Sequence, residues 1–375
     1  MDTAPSPFGS HPAWIEIDTE QLKRNIALLK RCIGKSLFCL PVKANAYGHG
    51  LCPIGKIAEE AGVDYLAVAH LQEGILLRRA HIRLPILVLG AIHEEQIRDL
   101  IDYDLEFSIS SHFKADLVAE KCRVGNRRCR VHLEVDTGMQ RTGVRKATAL
   151  ELYRHLQQLG CFDIVGIYSH FATADRPDDP FSRKQIEEFL HLKQHPLFQG
   201  EKPIWHLANS GGTLFFPEAH LDMVRPSLLT FGYTPATVSE PWKQLAPCFA
   251  LKAKVSYFKV VPQGAGISYG HSHRTKKQTR IVTIPVGYGD GFRRSLSNRG
   301  SVLIHGKRFP IVGTICMDQF MVDVGDHSVF VGDEAVLIGS QGQESIPLTE
   351  IADLCETIPY EILCLFNERI PRLYV

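Results

Sequence analysis

The chain has 375 residues, 45% of them hydrophobic, with 42 basic side chains against 41 acidic ones. That length exceeds what a single core usually supports, so two domains are predicted. The near-neutral charge offers no basic surface for nucleic acid, and no run approaches the ~20 apolar residues of a membrane span. A small metabolite is the expected partner.

Ten cysteines are scattered without a CxxC or zinc-like spacing, which predicts reduced thiols and no metal site. Met1 to Pro12 lacks the basic-then-apolar order of an export signal, so a cytoplasmic location is expected. Ala13–Ile17 reads as a short strand, and Asp18 with Gln21 three residues on resembles a helix capping box. Apolar strand runs follow at Phe38–Val42, Tyr65–Ala69, Pro85–Gly90, Glu106–Ser110, Arg130–Val135, Ile164–Ser169, Ile204–Ala208 and Met223–Arg225. Helical periodicity lies between them, as at Glu73–Ala80, Glu94–Ile101, Lys146–Leu159 and Arg183–Leu192. Continuous apolar runs mark strands buried on both faces, and eight such units predict a (β/α)8 barrel. An open doubly wound sheet competes, but no GxGxxG opens the first helix. Near Pro241-Trp242 the texture changes. Runs at Ala253–Val261, Arg280–Val286, Ser301–Ile304, Ile311–Gly313, Met321–Val324 and Glu334–Ile338 alternate with Gly-rich turns and predict a mostly β-strand domain. The expected division is 1–240 for the barrel and 241–375 for the C-terminal β domain.

A barrel of this kind places its chemistry at the C-terminal ends of its strands. Lys43 ends the first predicted barrel strand. Asp136, Thr137, Gly138 and Arg141 follow the fifth, His170 the sixth, Asn209 and Ser210 the seventh, and Arg225 and Ser227 the eighth. Singly, each has an ordinary structural explanation: a lysine snorkelling to solvent, a satisfied core histidine, an arginine in an ion pair. Together they converge on one rim. An amine in an apolar pocket suits Schiff-base chemistry. Arginine with small hydroxyl residues at strand ends suits a phosphate. The combination points to pyridoxal 5′-phosphate, PLP.

Nine segments in order carry a resemblance to the alanine racemases: PVKANAYGHG at 41–50, HLEVDTGMQRTG at 132–143, YSHFATAD at 168–175, HLANSG at 206–211, VRPSLLTFGY at 224–233, SYG at 268–270, VGYGDGF at 286–292, GTICMDQ at 313–319 and IPYE at 358–361. The resemblance covers nearly the whole chain. It implies a PLP-binding barrel, a C-terminal β domain and a head-to-tail homodimer whose sites combine both chains. Lys43 is then the lysine that holds PLP and the base on one face of the substrate α-carbon. Tyr269, reaching in from the partner chain, serves the other face. Racemisation takes a proton from one side of the carbon and returns one to the other, which two opposed bases accomplish. A tyrosine is a poor base near neutral pH unless its phenolate is stabilised, and His170 and Arg225 resemble the network that does so. The resemblance further implies that Arg225 donates to the pyridine nitrogen and that Arg141 approaches the phenolic oxygen and the substrate. Asn209 belongs to the cofactor set. Tyr47, Ser210, Tyr360 and the backbone N–H groups of Ser227 and Leu228 would hold the phosphate. Met317 would bind the substrate carboxylate through its N–H, and Tyr288 and Asp318 would line the entrance.

Four positions depart from the family pattern. Glu134 stands where many relatives carry a lysine that becomes carbamylated, and a glutamate there supplies a built-in anion to orient Arg141. Ser227 replaces a glycine, Thr314 an arginine, and Gly289 an alanine. The activity implied is interconversion of L- and D-alanine, with D-alanine serving peptidoglycan. A racemase of serine or of broader range is the alternative. A decarboxylase on the same fold would place an acid, not Arg225, against the pyridine nitrogen. A non-catalytic PLP-binding protein would not need Tyr269 and Met317.

Overall fold

The computed structural model describes residues 11–198, 200–235 and 238–375. Residues 1–10 of the segment read above for an export signal lie outside that range. The chain forms two compact units: residues 21–46 with 51–247, and residues up to 20 with 47–50 and 248–375.

The strand Ala13–Ile17 (β1) precedes eight parallel strands of the first unit: Leu37–Pro41 (β2), Tyr65–Val68 (β3), Ile86–Val88 (β4), Glu106–Ile109 (β5), Cys129–Asp136 (β6), Phe162–Tyr168 (β7), Ile204–His206 (β8) and Met223–Val224 (β9). They run in the order β5-β4-β3-β2-β9-β8-β7-β6, and the β5–β6 pairing closes the circle. This is the predicted (β/α)8 barrel. Every residue of β3, β4 and β5 is buried, as a sheet covered by helices on one face and filled on the other requires. The helix Lys146–Leu159 shows how its sequence fixes it. Ala149, Leu152, Tyr153 and Leu156 recur at helical spacing and are buried, and Gly160 ends it at φ 71. The helix predicted from Arg183 starts earlier, at Pro180. Asp179 caps it by accepting from the Phe181 N–H, and Pro180 fits the first turn, where no N–H is needed. Leu51–Glu60 and His112–Gly125 are further helices not singled out from the sequence, as are Ser210–Phe215, Leu348–Leu354 and Pro359–Leu365. Pro53 and Gly55 obscure the first.

Two local departures from regularity place the site. The β6–β7 register shifts between Val131 and His132, a bulge that re-aims the side chains after it. After β2 the backbone turns left-handed: Ala44, Asn45, Ala46 and Tyr47 have φ of 52, 56, 52 and 51°. Such residues cost about 1 kcal/mol each, so neighbouring groups must hold the turn. Two do so: the Glu73 carboxylate accepts from the Ala44 N–H at 2.6 Å, and the Asn45 side chain accepts from the Leu51 N–H at 2.7 Å.

The second unit is mostly β, as predicted. Its main sheet contains Phe249–Lys254 (β10), Tyr257–Val261 (β11), Thr279–Ile284 (β12), Ser301–Ile304 (β13), Lys307–Val312 (β14), Phe320–Gly325 (β15), Glu334–Gln341 (β16) and Arg372–Tyr374 (β17). Their order is β11-β12-β15-β14-β13-β16-β10-β1-β17. β1 therefore lies in this sheet, antiparallel to β10 and parallel to β17. The run read as one strand over 253–261 is two. The chain leaves its β16 neighbour after Lys254 and pairs with β12 from Tyr257. The strand expected to begin at Ile311 starts at Lys307, because His305 and Gly306, at φ 51 and 70°, close a two-residue hairpin with β13.

Candidate active site

Four of the residues read at strand ends come together. A cavity of about 240 Å³ is lined by Lys43, Glu134, Arg141, His170 and Arg225, together with Tyr168. The left-handed turn presents Lys43 here. Glu73 ties that turn to the next βα loop, since its other oxygen accepts from the N–H groups of Ala69 and His70 at 2.8 and 3.1 Å.

Arg225 is buried and richly bonded. Nη1 donates to His206 Nδ1 at 2.6 Å, and Nη2 to the carbonyls of Ser169 at 2.8 Å and Leu207 at 3.3 Å. His170 Nδ1 also lies 3.3 Å from Nη2. The guanidinium sits 5.3 Å from the Tyr168 ring centroid, within cation–π range. Burial lowers its pKa, yet an arginine remains charged in proteins. The same desolvation, then the charges of Arg225, Arg141 and Lys43, pushes His170 down to about 3. His206 is held well below its ordinary value by burial, Arg225 and His132. Both rings are therefore neutral acceptors facing a permanent cation.

Glu134 answers that positive charge. It is buried and accepts from the Thr142 hydroxyl at 2.6 Å. Burial raises its pKa, while bonds from Thr142 and Tyr168 and the charges of Arg141 and Arg225 act against that rise. Farther along the rim the Ser210 and Ser227 hydroxyls lie 3.1 Å apart, and the Ser227 N–H donates to Ser210 Oγ at 3.0 Å. The Asn209 side-chain Oδ1 is engaged in capping, accepting from the Gly212 N–H at 2.9 Å. Leu228 is buried directly after Ser227.

The remaining predicted residues lie in the β unit. Tyr47 and Tyr360 meet edge to face at 5.7 Å. Tyr269, Met317 and Asp318 line a concavity of about 970 Å³. Tyr269 is 73% exposed and Met317 53%. The Tyr269 carbonyl accepts from the Thr314 hydroxyl at 3.0 Å, so this departure from the family pattern braces the Ser-Tyr-Gly turn. Asp318 pairs with Arg369 at 2.6 Å, and Tyr288 is exposed, its N–H bonded to the Cys316 carbonyl.

Sequence reasoning gave no role to Tyr168, Thr142, His206, His132 or Glu106. The first four stand inside recognised motifs. The available signal for Glu106 was a charged side chain within an apolar barrel strand, since such residues are rarely buried without partners. Among the described residues no group of His, Cys, Asp and Glu could hold a metal ion, and no helix is long and apolar enough to cross a membrane.

An amine beside a buried guanidinium, with a hydroxyl pair along the same rim, fits a phosphorylated aldehyde with a basic ring nitrogen. Two sequence profiles match the chain. The one described as "Alanine racemase, N-terminal domain" matches residues 17–235, and "Alanine racemase, C-terminal domain" matches 248–374. The alanine racemase of Symbiobacterium thermophilum is 43% identical over 369 residues, 98% of each chain. That of Methanococcus maripaludis is 40% identical, over 98% of this chain and 99% of its own. Among solved structures, alanine racemase from Clostridium difficile 630 superposes with a TM-score of 0.92 at 35% identity, covering 97% of this chain and 96% of that one.

Proposed function

From the premise that the chain belongs to the alanine racemase family, and is an amino-acid isomerase, we propose that it interconverts L- and D-alanine with PLP by a two-base mechanism. The observation that carries this reading is the cavity itself, where Lys43 stands beside a buried Arg225 and a neutral His170. PLP, when bound, supplies the electron withdrawal that makes the substrate's α-proton removable. Lys43 holds the cofactor and moves a proton at the α-carbon on one face. Arg225 would donate to the pyridine nitrogen and, having only donors, would leave that nitrogen unprotonated. Arg141, oriented by Glu134 in place of a carbamylated lysine, meets the phenolic oxygen and the substrate carboxylate. Ser210, the N–H groups of Ser227 and Leu228, Tyr47 and Tyr360 would take the phosphate, and Asn209 caps the helix that Ser210 opens.

The opposite face belongs to Tyr269 of a second copy in a head-to-tail homodimer, with Met317 binding the substrate carboxylate and Tyr288 and Asp318 at the entrance. The exposure of Tyr269 and Met317 in the isolated β unit supports this, because a phenol open to water lacks the stabilisation a base needs. The functional division falls near residue 240. The setting is cytoplasmic supply of D-alanine for peptidoglycan.

The test is incubation with PLP and L-alanine in deuterated water, reading α-carbon deuteration and chirality together. Deuterated D-alanine is the expected product. Deuteration without inversion removes the Tyr269 assignment, and no exchange of alanine alongside exchange of serine shifts the substrate.

A further inference from the structure

The barrel interior carries a line of polar groups that the reaction above does not use. Arg225 Nη1 meets His206 Nδ1 at 2.6 Å. His206 Nε2 lies 3.0 Å from His132 Nδ1, and His132 Nε2 lies 2.8 Å from Glu106 Oε2. The other oxygen of Glu106 lies 3.2 Å from Arg130 Nε, near enough for an ion pair but not aligned as a hydrogen bond. Glu106, His132, His206 and Arg225 are all buried.

Elementary valence fixes every proton in this line. A guanidinium has only donors and a carboxylate only acceptors. Arg225 therefore requires a bare Nδ1 on His206, which then carries its hydrogen on Nε2. That hydrogen requires a bare Nδ1 on His132, whose own hydrogen then sits on Nε2 and faces Glu106. Starting from the Glu106 end gives the same answer. An imidazolium at either position would set N–H against N–H at one contact. The burial that disfavours a charged His206 acts in the same direction.

The surroundings are shaped for it. A Cβ at Gly166 would stand 2.3 Å from His132 Nδ1, so only glycine leaves that ring its place. The bulge in β6 falls just before His132. Tyr168 stacks on His206 at 4.9 Å and 16°, and Tyr65 and Tyr168 each set an edge-to-face contact on His132 at 6.5 Å.

We propose that Glu106 and His132 are positioning residues for Arg225: the carboxylate at the far end of the line is its counter-charge, and two neutral imidazoles of fixed tautomer transmit one orientation to it. The functional consequence rests on the reading that Arg225 serves the cofactor nitrogen. The proton pattern does not.

Histidine-labelled protein, with and without PLP, is examined by nitrogen NMR. His132 and His206 should both show a protonated Nε2 and a bare Nδ1. Either ring found as an imidazolium, or protonated at Nδ1, overturns the proposal. In Glu106→Gln, which keeps the size and removes the charge, kcat should fall about tenfold with the alanine KM within about twofold. An unchanged kcat also overturns it. Failure of the PLP reading is separate: borohydride treatment would then fix no cofactor on Lys43, while the ring pattern of the protein alone would stand.

Discussion

Acid should weaken this protein, and His170 sets a measurable part of the effect. Its imidazole is pushed down to about 3 by burial and then by Arg225, Arg141 and Lys43, whereas in the unfolded chain it returns to about 6.5. The folded value is the depressed one, so the unfolded state takes up the proton first. This contribution is fully present above about pH 6.5 and is lost as pH falls toward 3. Between about pH 7.5 and 5 the loss from this group is roughly 2 kcal/mol, trimmed somewhat because the ring faces the cavity. His206 adds a loss of the same sign. Glu134 works against both, since its raised pKa lets the folded carboxyl gain a proton sooner. Urea unfolding of the wild type and His170→Gln, followed by tryptophan fluorescence, measures the difference. The wild type should lose about 2 kcal/mol more than the variant over that interval. Equal losses, or an NMR titration placing His170 protonation above about pH 5, refute the reasoning.

Glu134→Lys should respond to added bicarbonate with higher activity, whereas Glu134→Ala should bind cofactor less tightly and turn over more slowly. Steady-state assays with and without bicarbonate decide this, and an alanine variant equal to wild type removes Glu134 from the site. In Glu73→Gln the carboxylate that gathers three N–H groups becomes a weaker acceptor, so stability should drop by about 1–2 kcal/mol and cofactor capture by Lys43 should slow. Both follow from denaturation and the growth of the cofactor's absorbance. Thr314→Val loses the hydroxyl bonded to the Tyr269 carbonyl. Its kcat should fall about fivefold, with recovery in Thr314→Ser, and a valine variant of full activity denies that hydroxyl any part in placing Tyr269.

The barrel strands were legible because burial on both faces leaves unbroken apolar runs, and most observed strands match within a residue or two of the expected ends. The helix at Lys146–Leu159 was legible because periodicity and a terminal glycine agree. Elements that contradict their own propensity were not. Pro53 and Gly55 mask a helix, and Pro310 with Lys307 and Arg308 masks a hairpin strand. The site's charged residues could be read from their positions after strand ends. The line from Glu106 to Arg225 could not, because its contacts span up to 74 positions of sequence and exist only once the sheet has closed. The left-handed turn was equally hidden, since nothing in Ala44-Asn45-Ala46 favours that hand apart from the asparagine.

That turn bears on the order in which the molecule is made. Its residues prefer the opposite hand, so it cannot nucleate locally as ordinary helices do. Its stabilising acceptor, Glu73, arrives from the following βα unit. Until that unit is in place, the turn after Lys43 lacks one of the acceptors that hold it. On the proposed reading, aldehyde capture by Lys43 would report that the first two βα units have docked, and the rate of colour development during refolding would time that event.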